Sequence, residues 1–464
     1  MAGLTMAISV ANRRKMPRCR LPRGHTDFRC KAPAAVRKEK ERLGDGGMAA
    51  VGRGLLVSTT TQTAHIAFMC SLKAIEASYD HHGRATIMGI GKAVPEHVFE
   101  QKSYADYYFD VTNSNHMVDL KAKFASICEN TMVEKRHFYM SDDTLRSNPS
   151  ITAYKSPSFT LRQELADEGV PRLGAAAALN AINDWGKQAS DITHLVLSTL
   201  SSGCLPGADC ELVHLLGLPP STKRVMLYQA ACHGGGAALR LSKDLAESNP
   251  GARVLVVCSE VTPLWLRGPS PSHVGNLVGQ AIFGDAAGAV IVGSDPGAGE
   301  RGLFELVWTW QEIVPGTRDG IVAKLRDEGL VFTLHRDVPR FVAGAVAGCV
   351  QRALRELAAP EVKEKDDMFW VVHAGGRGVL DMVQSEMGLG VGKLAASRSA
   401  MRQYGNTLSS SVVLVMEEMR RTSEEKGMRT AGQGLDWGLL LAFGPGITVE
   451  TILLRALPDY AKRN

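Results

Sequence analysis

The sequence of 464 residues is poor in aromatic residues and has no long apolar run. Aromatic residues make up 6% of the chain. No stretch is apolar over the roughly 18 residues that a membrane span needs. Charged residues make up 22% and apolar residues 45%, which is ordinary for a globular protein. These values exclude a disordered, collagen-like or coiled-coil chain, and they predict no membrane span.

The chain also lacks paired cysteines. It contains nine cysteines, an odd number, and none of them forms a Cys-X-X-Cys pair. Most lie in apolar runs, which favours a reducing compartment without a disulfide framework or a structural zinc. We therefore expect no metal, and we expect that a single cysteine can serve as a nucleophile.

The basic charge is confined to one end of the chain. The net charge is +5, but residues 1–72 carry a surplus of basic residues, so the remainder is mildly acidic. No nucleic-acid-binding motif accompanies this charge, and we expect no nucleic-acid partner. The first 72 residues fit an organelle transit peptide, but a disordered tail or an upstream extension, with a start at Met48 or Met69, is the favoured interpretation. For the rest of the chain we expect a cytoplasmic location.

Short apolar segments alternate with helical segments from about residue 84 onward. Strands are predicted at 85–90, 194–199, 224–228, 253–258, 288–292, 303–309, 369–372 and 437–443. Helices are predicted at 174–189, 235–248, 340–358, 378–388 and 412–422. Segment 411–416 fits a strand as well as a helix. The alternation indicates an α/β sheet with helices on its faces.

Spacing indicates that the chain is internally duplicated. Segments 192–217 and 368–391 each run from a strand through a glycine-containing turn into a helix. Thr199 precedes Cys232 by the same number of residues by which His373 precedes Asn406. A duplicated fold lets matched strand ends meet near a pseudo-twofold axis, so we expect Cys232, His373 and Asn406 to converge. The predicted organisation is an extension at 1–72, one half at 73–302 and a second half at 303–464.

Cys232 has the sequence context of a nucleophile. An apolar strand ends before it, and a glycine run and a helix follow. A thiol at a helix N-terminus meets the positive end of the helix dipole, and a nearby imidazolium would lower its pKa further. Because the thiolate is the reactive form, this placement suits covalent catalysis.

His373 and Asn406 are the predicted partners of that cysteine. His373 follows an apolar strand and precedes two glycines, so its ring can point into a cavity and donate to a developing oxyanion. Asn406 supplies a neutral amide donor, although a helix N-cap is the alternative role. The Gly-Pro-Gly turn at 444–446 shapes a pocket wall or is a plain turn. Papain-like proteases use the same three side chains, but their cysteine lies near the mature N-terminus in a different context.

Several long motifs carry a resemblance to a known family. They are residues 251–260, 278–285, 404–406 and 443–451. From about Lys73 to Leu457 the chain resembles the plant type III polyketide synthases of the chalcone and stilbene synthase superfamily. The resemblance implies a duplicated, five-layered, thiolase-like αβαβα sandwich. It implies a homodimer that uses an acyl-CoA starter and malonyl-CoA directly, without a cofactor or metal.

The resemblance also assigns roles to individual residues. Cys232 becomes the acyl-accepting nucleophile, and His373 and Asn406 stabilise the enolate formed from malonyl-CoA. Phe283 and Phe332 match two gatekeeper phenylalanines. The remaining implied residues line the substrate pocket (Leu200, Ser201, Thr262, Trp265, Ala323, Leu408, Phe443 and Pro445) or bind CoA (Lys123, Gly375 and Gly378).

Departures from the family pattern reshape the expected product. Trp265, Leu200 and Leu408 replace smaller or hydroxylated residues, and Ala323 replaces a glycine, so we expect a smaller pocket and a product other than naringenin chalcone, such as a short pyrone. His233 follows the nucleophile where a phenylalanine is usual, and it either perturbs the thiol or faces solvent.

The expected CoA site also departs from the family pattern. Ser126 and Asn130 occupy positions that are commonly basic, and Lys135 and Arg136 are possible replacements. Because these basic residues are missing, a weakly active or non-catalytic relative is an alternative function. A ketoacyl-ACP synthase III-like enzyme is a second alternative.

Overall fold

The computed structural model describes residues 83–357, 359 and 361–458. The predicted extension at 1–72 lies outside the described residues, and its interpretations remain predictions. None of the described helices is long and apolar enough to cross a membrane.

The described chain forms thirteen strands and twelve helices. The strands are β1 Thr86–Ala93, β2 His97–Glu100, β3 Lys135–Phe138, β4 His194–Thr199, β5 Lys223–Tyr228, β6 Arg253–Glu260, β7 Ala286–Gly293, β8 Phe304–Ile313, β9 Ile321–Arg326, β10 Gly329–Leu334, β11 Phe369–Val372, β12 Trp437–Gly444 and β13 Thr448–Ala456. The helices are α1 Gln101–Val111, α2 Val118–Asn130, α3 Asp142–Ser147, α4 Pro149–Thr152, α5 Phe159–Trp185, α6 Ala208–Leu216, α7 Gly234–Ser248, α8 Gly275–Ile282, α9 Val338–Glu356, α10 Arg377–Met387, α11 Ala395–Tyr404 and α12 Ser411–Glu425.

Nine strands share one mixed sheet, whose order is β11-β12-β13-β8-β1-β7-β6-β4-β5. In the first half β4 and β6 run parallel, and β6–β7 and β7–β1 run antiparallel. In the second half β11 and β12 run parallel, and β12–β13 and β13–β8 run antiparallel. The two halves therefore repeat one strand order, and the predicted duplication is confirmed. A short antiparallel pairing of β1 with β8 joins them.

Helices complete five layers around the two halves of the sheet. α5 packs on β1, β6 and β7, whereas α9 packs on β13 and β8 and also against α10. α7 and α12 contact strands of both halves, so they form the middle layer. The order is helix, sheet, helix, sheet, helix, as the resemblance implies. Strands β4, β7 and β12 are buried along their whole length, which explains why they appear in the sequence as continuous apolar runs.

Most predicted elements are present, and the differences have local causes. Segment 411–416 belongs to the helix α12, which settles the strand–helix ambiguity. The helix predicted at 174–189 runs over Phe159–Trp185: it continues through Pro171 and ends where Gly186 adopts a left-handed conformation with φ of 78°. The antiparallel pair β9–β10 and the strand β13 were not predicted.

Candidate active site

The three predicted catalytic residues line one cavity of about 540 Å³. Cys232, His373 and Asn406 are all buried, at the inner end of this cavity. Its mouth is formed by exposed residues from other elements, namely Ser126, Asn130, His335, Arg336 and Arg377. The fold therefore brings together side chains that lie as much as 174 positions apart in the printed sequence.

A tight turn between β5 and α7 places the nucleophile. Gln229 and Ala231 adopt left-handed conformations, with φ of 68° and 53°, and Cys232 lies in a short 3₁₀ turn directly before α7. The glycines that follow are needed for close packing, since a Cβ on Gly235 would collide with the backbone oxygen of Ser409 from the other half. Backbone strain at Ala231, of order 1–2 kcal/mol, is therefore maintained by the packing of both halves.

Asn406 is positioned by hydrogen bonds that fix both ends of its amide. Its Nδ2 donates to the carbonyl of Gly375 at 3.1 Å, and its Oδ1 accepts from the amide of Leu408 at 3.0 Å. The same amide group hydrogen-bonds the Cys232 thiol. The Asn406 side chain does more than cap a helix. It connects three segments: the turn at Leu408, the glycine loop at Gly375 and the thiol of Cys232.

His373 lies at the end of β11, with its ring against Phe443. The ring centroids are 5.1 Å apart and nearly perpendicular, and the His373 amide donates to the Leu441 carbonyl at 2.9 Å. A Cβ on Gly375 would lie 3.0 Å from His373 Cδ2, so only glycine leaves the ring this space. The buried Nδ1 has no hydrogen-bond partner among the described residues. No protein partner therefore fixes the tautomer at this nitrogen, and the proton can reside on Nε2.

Burial leaves the resting thiol and imidazole uncharged. Burial and the nearby charge of Glu260 raise the pKa of Cys232 to about 12, although the Asn406 hydrogen bond lowers it. Burial, and to a lesser degree His233, lowers the pKa of His373 to about 3. Burial therefore opposes the lowering of the Cys232 pKa that its place at a helix N-terminus predicts.

A buried carboxylate behind the nucleophile had no predicted role. Glu260 Oε2 accepts from the Leu200 amide at 3.0 Å, from Ser201 Oγ at 2.9 Å and from Thr199 Oγ1 at 3.3 Å. Its Oε1 accepts from Ser409 Oγ at 2.6 Å. Burial nevertheless raises the pKa of Glu260 to about 7. The side chain thus ties the turn after β4 to the segment after Asn406.

The wall of the cavity is built from large apolar side chains. The rings of Phe283 and Phe332 meet edge to face at 5.6 Å, and Trp265 packs on Phe283 at 6.0 Å. The other wall residues named from the sequence are also present (Leu200, Ala323, Leu408, Phe443 and Pro445).

Two predicted pocket residues lie behind the wall instead. Ser201 is fully buried and donates to Glu260, and Thr262 Oγ1 donates to Asp285 at 3.3 Å. Neither is among the residues that line the cavity, so their role as pocket residues stays a prediction.

His233 is largely buried rather than exposed to solvent. Its side chain is 16% exposed, and its Nδ1 lies 3.9 Å from the buried carboxylate of Glu450. Gly444 makes room for it, since a Cβ there would lie 2.8 Å from the His233 amide nitrogen. The solvent-facing alternative is therefore wrong. The charge of His233 contributes to the lowered pKa of His373, whereas an effect on the Cys232 thiol stays a prediction.

At the mouth, the residues expected to bind CoA are only partly assembled. Gly375 and Gly378 line the cavity, as do Ser126 and Asn130, but Lys123 does not. Arg136 is buried, and its guanidinium donates to the carbonyls of Gln280 and Phe283, both at 2.8 Å. It is therefore not a replacement for a missing phosphate ligand.

The geometry first defines a class. A duplicated five-layered sandwich with a buried cysteine, histidine and asparagine where its halves meet is a thiolase-like fold. Comparison with known families is more specific. Residues 72–296 match the N-terminal domain and residues 305–458 the C-terminal domain of the chalcone and stilbene synthases. The chain belongs to that family, the type III polyketide synthases. Within the described residues, no group of three or more His, Cys, Asp or Glu side chains is arranged to hold a metal ion.

Proposed function

We propose that this protein extends an acyl-CoA starter by decarboxylative Claisen condensation with malonyl-CoA, with Cys232 as the nucleophile. The observation that carries the proposal is the meeting of Cys232, His373 and Asn406 at the buried end of one cavity. The reaction uses CoA thioesters directly and requires no cofactor.

Loading begins with attack of the Cys232 sulfur on the starter thioester. Because thiol and imidazole are both neutral at rest, the thiol proton passes to His373 as the sulfur attacks. The new thioester bond forms at Cys232, and CoA leaves as the free thiol once it has received a proton.

During extension, the enolate anion forms beside two neutral hydrogen-bond donors, Asn406 and His373. Malonyl-CoA loses CO₂, and the enolate oxygen accepts hydrogen bonds from the Asn406 amide and from His373. The enolate carbon then attacks the thioester carbonyl on Cys232, which releases the sulfur and yields a β-ketoacyl-CoA. Burial strengthens these hydrogen bonds, because water does not compete for the developing charge.

The apolar wall restricts the product. Trp265, Leu200 and Leu408 reduce the space beside the nucleophile and present no hydroxyl to a growing chain. We therefore propose few extensions and a product such as a short pyrone rather than naringenin chalcone.

We also propose a homodimer located in the cytoplasm. The edge strand β5 leaves Val225 and Tyr228 at 37% and 42% exposed, and Leu205 in the loop between β4 and α6 is 97% exposed. An exposed strand edge with apolar side chains favours pairing with a second copy. Light scattering on the purified chain tests this, and a monomer at micromolar concentration would contradict it.

The test of function is product formation by the full chain. Wild type and Cys232→Ala are incubated with labelled malonyl-CoA and with aromatic, acetyl and longer acyl-CoA starters, and products are identified by mass spectrometry. We expect a polyketide that depends on Cys232, whereas malonyl-CoA decarboxylation persists in part in the variant. Extension that is unchanged in Cys232→Ala would disprove the nucleophile. Turnover of malonyl-ACP in place of malonyl-CoA would favour a ketoacyl-ACP synthase, and no turnover at all would favour a non-catalytic relative.

A further inference from the structure

We infer that Arg336 and Arg377 bind the phosphate groups of the CoA thioester at the mouth of the cavity. This inference rests on the proposed function, because it names the residues that hold that substrate. It places the phosphate contacts on the β10–α9 connection and the start of α10, rather than on helix α2.

The α2 side of the mouth offers no cation. Ser126 and Asn130 line it with neutral side chains, and Asn130 Nδ2 already donates to the Ser126 carbonyl at 2.8 Å. Lys121 is engaged with Asp106 at 2.7 Å, and Lys123 does not line the cavity. A ligand with several phosphate charges therefore meets no basic side chain in the part of the cavity lining that α2 supplies.

Two arginines supply positive charge from another direction. Arg336 and Arg377 are the only arginine or lysine residues that line the cavity within the described part of the chain, and both are exposed. Their segments touch, since a Cβ on Gly378 would lie 3.7 Å from Pro339 Cγ. The two guanidinium groups thus belong to one continuous rim.

Acidic side chains neutralise these two arginines only in part. Arg377 Nε is 3.4 Å from Asp381, but Asp381 is shared with Arg398, which approaches it at 2.7 Å. Arg336 has no acidic partner within 4.0 Å among the described residues. Its neighbour Asp337 instead lies near His335 and Arg340. The Arg336 guanidinium is therefore available to an anion from solution, and Arg377 shares its acidic partner with a closer arginine.

A guanidinium suits this ligand because its planar donors match two phosphate oxygens at once. Hydrogen bonds to charged groups of this kind are worth about tenfold or more in affinity when one partner is removed. Because both side chains are exposed, the attraction is screened by salt.

The test measures equilibrium binding of CoA to the full chain by calorimetry, together with malonyl-thioester decarboxylation. The variants are Arg336→Ala, Arg377→Ala and the double variant. The matched control is Arg340→Ala, an exposed arginine one turn into α9 that does not line the cavity. Lys123→Ala tests the position that the family resemblance implied.

We expect each single variant to weaken CoA binding about tenfold and the double variant to weaken it further, with a shallower salt dependence. Decarboxylation of malonyl-pantetheine, which lacks the nucleotide phosphates, should be unchanged in all variants. Arg340→Ala and Lys123→Ala should bind CoA as wild type does.

Two results would overturn the assignment while leaving the proposed function intact. One is unchanged CoA binding in the double variant of a protein that binds CoA, and the other is an equal loss of activity with malonyl-pantetheine. Wild-type protein that binds no CoA and turns over no malonyl thioester would overturn both proposals.

Discussion

Replacing Glu260 with glutamine tests the electrostatics behind the nucleophile. Glu260 is fully buried, and burial raises its pKa from 4.5 to about 7 in spite of four hydrogen bonds. Glutamine keeps the shape and an acceptor oxygen for Leu200 and Ser201 but cannot ionise. Its amide faces Ser409, whose hydroxyl can turn to accept instead.

The size of the effect follows from the shifted pKa. Each pKa unit is worth about 1.4 kcal/mol, so a change from 4.5 to about 7 corresponds to about 3 kcal/mol. Below pH 4.5 the carboxyl is neutral in both the folded and unfolded chain. As the pH rises to about 7 the unfolded chain ionises first, so wild type loses stability over this window.

The E260Q variant lacks this loss. The difference in free energy of unfolding, E260Q minus wild type, should therefore rise by about 3 kcal/mol between pH 4.5 and pH 7.5. Guanidinium titrations at several pH values measure it. Asp285, whose pKa burial also raises to about 7, is present in both proteins and cancels.

Glu300→Gln is a control in which the difference in free energy of unfolding should change with pH in the opposite direction. Burial acts to raise the pKa of Glu300, but hydrogen bonds from Arg253 and neighbouring donors lower it overall. This carboxylate therefore stabilises the fold above its unfolded pKa, and the difference E300Q minus wild type should fall as pH rises.

The E260Q variant also tests how Glu260 affects the reactivity of the Cys232 thiol. The Glu260 charge contributes to the raised pKa of Cys232, so E260Q should lower that pKa and speed alkylation of Cys232 by iodoacetamide at pH 8 to 9. Mass spectrometry of the Cys232 peptide measures the rate, with Cys232→Ala as the blank. A stability difference that does not change with pH, together with an unchanged alkylation rate, would refute the reasoning.

Two further predictions concern the cavity. Trp265→Thr removes the indole that packs on Phe283, so the products should gain one or more malonyl-derived units by mass spectrometry; an unchanged product would show that Trp265 does not limit length. Gly375→Ala places a Cβ 3.0 Å from His373 Cδ2 and from Phe443 Cε2, and the displaced ring should reduce the kcat of decarboxylation on the order of 100-fold. A normal kcat in a folded Gly375→Ala protein would contradict this placement of His373.

Local pattern was sufficient for buried strands that form uninterrupted apolar runs, but it missed the buried strand β13, whose sequence includes Thr448, Glu450 and Thr451. Strands β4 and β11 were predicted at the residues where the structure has them, because a strand covered on both faces is an uninterrupted apolar run. The half-exposed strands β9 and β10 lack that signal and were missed. The helix α5 was predicted too short, because packing maintains it through Pro171.

Residue types and spacing identified the candidate catalytic residues, and only the tertiary structure decided their protonation state. The equal spacing within the two pairs, Thr199 to Cys232 and His373 to Asn406, reflects a duplicated chain, so it pointed to the residues that meet. Their protonation could not be predicted, because desolvation depends on every atom that excludes water, and it opposes the helix dipole that the sequence suggested.

At the rim of the cavity, too, the sequence determined some features and the tertiary structure decided others. The sequence determined the family, the α/β duplication and the loss of basic residues at Ser126 and Asn130. It gave no sign that Arg336 and Arg377 border the same opening, since they come from separate elements that only tertiary packing places side by side. Sequence patterns report local periodicity and composition, whereas the surroundings of a side chain are set by segments far away in the chain.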